Sequence, residues 1–211
     1  GNLARAKGEV SRLGRFLDSL TDFIVSFLVY LVLTLRLVSE TSNSLYWVLG
    51  GFAFLSCLIH CSYFVFYLVQ YTSISGTYLC NRADESITEE DSKAYGRGDL
   101  SMLVCFLQRS HIFLYGWQDK TIEWFDRLSK KLGSKSKSQR LPENSWYGSK
   151  VFLTLTSPLC LCTNNILLVF FSLVDAIEFG FWFVVVVGNS YLLLLQILKI
   201  IKTRNNLILN V

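Results

Sequence analysis

Four long stretches of this chain carry no charge, and that constrains the fold more than any other feature of the sequence. No Asp, Glu, Lys or Arg occurs between Asp22 and Arg36, between Glu40 and Arg82, between Lys150 and Asp175, or between Glu178 and Lys199. A hydrocarbon core about 30 Å thick is crossed by about 20 apolar residues of helix. The gaps therefore predict four transmembrane helices, near 15–37, 45–70, 150–174 and 178–201. Helices of a soluble core keep a polar face, which these lack. The composition agrees, with 52% hydrophobic and 17% charged residues and two prolines in 211. The chain reads as an all-α polytopic integral membrane protein, a helical bundle in three parts: residues 1–70, an insertion at 71–149, and 150–211.

Lys and Arg in the connecting segments set the orientation. The opening carries Arg5, Lys7, Arg12 and Arg15, the segment 71–149 most of the remaining basic residues, and the tail Lys199, Lys202 and Arg204. The turn 38–44 has neither Lys nor Arg, and 175–178 has only Asp175 and Glu178 as charges. Four alternating spans satisfy this pattern when opening, insertion and tail share the cytoplasmic side.

Two carboxylates, Asp18 and Asp22, stand where the basic opening runs into the first apolar stretch. With Gly14 they have the four-residue spacing that makes one stripe on a helix; Gly1 and Arg5 have it on the segment before. Gly8 is a plausible helix stop and Ser11 a plausible N-cap for the following span. Acids inside a membrane span are costly and usually functional. A pair one turn apart suits a hard cation such as Mg2+, although two carboxylates supply only part of its six oxygens. The plainer alternative is two interfacial acids near a helix N-terminus, where negative charge is favoured in any case.

The same residues resemble the signature of the CDP-alcohol phosphotransferases: Asp, two residues, Asp-Gly, two residues, Ala-Arg, eight residues, Gly, three residues, Asp, three residues, Asp. Gly1, Ala4, Arg5, Gly14, Asp18 and Asp22 match its last six fixed positions. Its first two acids would precede Gly1, so the chain is expected to be cut within the motif and to be inactive as it stands. The resemblance implies six helices around the site, of which the first and part of the second are missing here. It implies a phosphotransferase of phospholipid biosynthesis that uses Mg2+ or Mn2+. A phospho-alcohol (phosphatidyl) group passes from a CDP-alcohol, CDP-diacylglycerol among the candidates, to an acceptor alcohol, and CMP is released. By the same resemblance Asp18 is a metal ligand, and Asp22 is the general base and a metal contact. Gly1, Ala4 and Gly14 are the small positions that admit the nucleotide, and Arg5 lies at its phosphate. Relatives often pair as homodimers. The resemblance leaves the acceptor open, and both a bacterial inner membrane and a eukaryotic endomembrane fit.

In the insertion, 82–99 is acidic and irregular and reads as solvent-exposed and mobile. Residues 100–132 return to helical periodicity, with Leu103, Phe106, Leu107, Phe113, Leu114, Trp117, Trp124, Phe125 and Leu128 available for one side. Arg109, Asp119, Lys120, Asp126, Arg127, Lys130 and Lys131 interrupt them. Each charge costs about 3 kcal/mol at the bilayer centre, so one or two helices on the cytoplasmic surface are expected. The basic run 127–140 reads as a solvated loop near anionic headgroups.

Cys57, His60 and Cys61 share a helical face but lack the fourth ligand of a closed zinc site, so they read as packing. Cys160 and Cys162 read as small apolar side chains, His111 as a headgroup-level residue, and Asn164, Asn165 and Asn189 as interhelical hydrogen-bonding groups. No nucleic-acid module is present. Against the enzyme stands a transporter, channel or structural subunit whose intramembrane aspartates guide ions or pair with another helix.

Overall fold

The computed structural model describes residues 12–76, 102–133 and 149–209, together with Glu89, Lys93, Gly96 and Tyr147. Gly1, Ala4, Arg5, Gly8 and Ser11 lie outside these residues, as does most of the acidic stretch 82–99. The described elements are helical. Helix α1 covers Arg12–Thr41, α2 Leu45–Ser75 and α3 Met102–Gly133. A broken helix follows: α4 (Lys150–Thr156), a 3-10 turn (Ser157–Leu159) and α5 (Leu161–Leu173). The last is α6 (Ile177–Trp182), a π-helical turn (Phe183–Gly188) and α7 (Asn189–Leu209). Four stretches are long and apolar enough to cross a membrane: Phe16–Thr41, Leu45–Ser75, Lys150–Leu173 and Ile177–Ile201. They fall where the charge-free gaps predict them, and they support an integral membrane protein.

Local chemistry explains the breaks. Pro158 sits in the 3-10 turn between α4 and α5, where its missing N–H and ring preclude a continuous α-helix. In the turn between α1 and α2, Ser42 adopts φ 54°, and Asn43 Oδ1 accepts from Leu45 N at 3.0 Å. Helix α2 ends at Gly76, in the left-handed conformation that glycine adopts without strain. At that first turn's end of the bundle, Arg36 donates to Glu40 (2.7 Å) and Asp175 (2.5 Å). Tyr46 donates to Glu178 at 2.8 Å, tying the two turns together.

Helices α1 and α2 approach closely through Gly50, where an added Cβ would lie 2.0 Å from Thr34 Oγ1. Phe54 fills the next turn against Phe23, Phe27 and Tyr30, and Tyr30 stacks on Phe181 at 5.8 Å. Gly50→Ala is expected to cost about 1–3 kcal/mol by overpacking, read as a lower thermal midpoint in detergent. Adding Thr34→Ala should recover part of that loss. Full additivity of the two changes would mean that the helices do not meet there.

Residues 102–133 form one continuous helix of 32 residues. Its bonds and ring contacts with the spans fall at Phe16, Ser19 and Phe23 of α1, Ser62 and Tyr67 of α2, and Gln196 and Lys199 of α7. These places lie toward the end where α1 begins and α2 and α7 finish, so α3 crosses that end of the bundle. Its faces are sorted in an unusual way. Leu107 and Ile122 are buried, but so are Gln108, Gln118, Asp126 and Ser129, while Phe106, Phe113, Trp117 and Trp124 are exposed. The apolar residues that suggested one buried side therefore divide between the bundle and its exterior.

Candidate functional site

Gly14, Asp18 and Asp22 lie on successive turns of α1, and all three are exposed. The neighbouring face of the same helix turns inward: Phe16, Ser26 and Tyr30 are at most 2% exposed. Gly1, Ala4 and Arg5 lie outside the described residues. The two carboxylates are hard oxygen donors in reach of solvent, which fits Mg2+ or Mn2+ in ligand type. They are too few to fill its coordination alone. Among the described residues, no three His, Cys, Asp or Glu side chains converge as a metal site.

Helix α3 braces the inward flank of the acid-bearing turns. Tyr115 Oη donates to the carbonyl of Ser19, which lies between the two aspartates, at 2.9 Å. The Tyr115 ring meets Phe23 edge-on at 6.2 Å, and His111 lies between Tyr115 (4.8 Å) and Phe16 (5.4 Å). One turn further, Ser62 of α2 donates to buried Gln118 at 2.6 Å. Burial pushes the Tyr115 phenol well above its ordinary range, and nearby Cys61, Asp22 and Asp119 add to the effect. Tyr115 therefore stays protonated and keeps its role as donor.

A second polar cluster anchors the other half of α3. Lys199 of α7, 1% exposed, donates to Asp126 and to Tyr67 Oη, the latter at 2.7 Å. Tyr147 donates to the other Asp126 oxygen at 2.6 Å, and Lys130 lies 3.1 Å from it. Ser129 donates to Gln196 at 2.6 Å. Burial alone would push the Asp126 carboxyl up. Lys199, the hydrogen bonds from Lys199 and Tyr147, and Lys130 outweigh it and hold the group below its ordinary value. Read from spacing and charge, Lys199 stands only among the tail charges and Asp126 only among the interruptions of a helix.

Of the remaining candidates, Cys57, His60, Asn164 and Asn189 pack, whereas Cys162 is exposed and, among the described residues, Asn165 makes no interhelical hydrogen bond through its buried Oδ1. Cys57 is fully buried. His60 Nε2 lies 3.1 Å from Asn189 Oδ1, and Asn189 Nδ2 donates to Ser56 at 2.9 Å. The His60 ring occupies the space a side chain at position 188 would need, since a Cβ on Gly188 would lie 2.4 Å from it. Asn164 turns back on its own helix, donating to the Cys160 carbonyl at 3.1 Å. A cleft of about 450 Å³ is lined by Leu37, Glu40, Asp175 and Glu178 among others. It lies roughly 22 Å along α1 from Asp22, at 1.5 Å per residue, and takes no part in the acid site.

Comparison with known families matches residues 1–84 to CDP-alcohol phosphatidyltransferase. The matched stretch contains the acid stripe, α1 and α2, and it supports a phosphotransferase of lipid synthesis. No curated protein and no solved structure matches the chain.

Proposed function

We propose, from the family match over residues 1–84, that this chain is part of a membrane-embedded phosphotransferase. It moves a phospho-alcohol group, with CDP-diacylglycerol a candidate donor, from a CDP-alcohol to an acceptor alcohol. The observation that carries this reading is the exposed stripe of Gly14, Asp18 and Asp22 at the start of a membrane span. In the proposed reaction the acceptor oxygen attacks the phosphorus that bears the alcohol. The bond from that phosphorus to the CMP oxygen breaks, and CMP leaves with the electron pair. Asp22 takes the proton lost by the acceptor hydroxyl.

Asp18 and Asp22 would hold Mg2+ or Mn2+, together with the two acids that the signature places ahead of Gly1. Bound there, the cation neutralises phosphate charge and lowers the barrier to transfer. Arg5 offers a planar fork to a nucleotide phosphate. Gly1, Ala4 and Gly14 leave room for the nucleotide against the helices. The distribution of Lys and Arg supports a cytoplasmic side for this site.

The test is CMP release by the full-length protein in lipid vesicles supplied with a CDP-alcohol and a panel of acceptor alcohols. Release should require Mg2+ or Mn2+ and stop on chelation. A protein that binds neither the cation nor the CDP-alcohol would instead be a non-enzymatic membrane subunit.

A further inference from the structure

We infer that Tyr115 is a positioning residue for the acid pair, acting through the backbone of α1 rather than on substrate. The inference rests on the phosphotransferase reading and adds to it a residue outside the matched stretch. Its hydroxyl donates to the Ser19 carbonyl at 2.9 Å, and Ser19 follows Asp18 directly and precedes Asp22 by three residues. Its ring fixes Phe23, the residue after Asp22, at a centroid distance of 6.2 Å. Through His111 the same group reaches Phe16, two residues before Asp18. The three contacts hold one flank of the turns that carry Asp18 and Asp22 and leave the acid stripe itself uncovered.

The brace is itself anchored. Three residues along α3, Gln118 is fully buried and accepts from Ser62 of α2 at 2.6 Å, while its Nε2 donates to the Leu114 carbonyl at 2.8 Å. Tyr115 therefore joins α1 to a helix already fixed to α2, so the acid-bearing turns cannot rotate about the α1 axis without breaking a hydrogen bond. Two carboxylates that share one cation must keep their oxygens within a few tenths of an ångström of productive geometry. A mobile flank would weaken cation binding and misplace the base.

Tyr191→Phe provides a matched control. Tyr191 also donates a phenol proton to a backbone carbonyl, that of Leu155, at 2.7 Å, but in a pair of helices that does not carry the acids. The experiment titrates Mn2+ alone into full-length wild type, Tyr115→Phe and Tyr191→Phe by electron paramagnetic resonance, and measures kcat and KM for CMP release. Tyr115→Phe should weaken Mn2+ binding about five-fold and lower kcat about ten-fold, with KM for the CDP-alcohol within about two-fold. Tyr191→Phe should leave all three unchanged. Ser62→Ala, which removes the anchor at Gln118, should shift the first two readouts in the same direction by a smaller factor.

Wild-type Mn2+ affinity and kcat in Tyr115→Phe would overturn the inference, as would equal losses in Tyr191→Phe. Mn2+ binding that Asp18→Asn weakens, without any CMP release, would sink the phosphotransferase reading. The Mn2+ titrations of Tyr115→Phe and Ser62→Ala would then still decide the role of Tyr115. A wild type that binds no Mn2+ removes both.

Discussion

Asp22→Asn in the full-length protein is expected to lower the rate of CMP release by about 1,000-fold at saturating substrates and Mg2+, the scale of losing a positioned general base. The amide is nearly isosteric with the carboxylate, so helix α1 and its contacts should persist. On the proposed mechanism, what disappears is a proton acceptor and an anionic ligand. Asp18→Asn should behave differently, because a ligand that is not the base can be compensated in part by more cation. Raising Mg2+ should therefore recover some activity in Asp18→Asn and little in Asp22→Asn. If Asp22→Asn turned over at the wild-type rate, another group would have to take the acceptor's proton.

The second large effect is on stability. Lys199→Met removes the cation from a pair whose members are 1% and 4% exposed and leaves Asp126 facing, among the described residues, Tyr67, Tyr147 and Lys130. Breaking such a pair costs about 3 kcal/mol at neutral pH, measured as thermal or denaturant midpoint in detergent. The pH dependence carries the sign. In the wild type the Asp126 carboxyl is held below its ordinary value. Its contribution is therefore present above the unfolded value of 3.8 and lost as pH falls through the lower folded value. In Lys199→Met, burial dominates and the carboxyl titrates higher, so protonation relieves the variant first. The gap between the two proteins should narrow on acidification from neutral toward pH of about 4; a gap that widened would mean that Asp126 is not the group left behind.

The spans were legible because lipid excludes charge so strongly that its absence marks them. Their ends were less so. Hydropathy fades near residue 70, but α2 continues to Ser75, because a helix stops where its backbone is capped and the cap is Gly76. The acid stripe could be read from spacing alone, since side chains four apart on a helix need no tertiary information. The brace on it could not. Tyr115 bonds to a carbonyl, which every residue possesses, and so leaves no mark in the partner's identity.

The orientation of α3 about its own axis was hidden for another reason. Sorting a helix by hydrophobicity assumes that water lies on one side of it. Here Phe113 is 82% exposed while Gln118 is fully buried, because the spans offer Ser62, Gln196 and Lys199 as polar partners. The available signals were weak: a lone cation closing the last apolar stretch, and an acid set between Phe125 and Arg127.

Asp126 and Lys199 are 73 residues apart. A ribosome adding roughly 5–20 residues per second makes the first about 4–15 s before the second. During that interval α1 and α2 are already in place, and the helix that contacts the acid-bearing turns has Lys130 but not yet the buried Lys199 beside Asp126. The helix packed against the acid-bearing turns thus gains its buried cation only after α1 and α2 have been made, so its hold on that flank is completed later than the insertion of the aspartates.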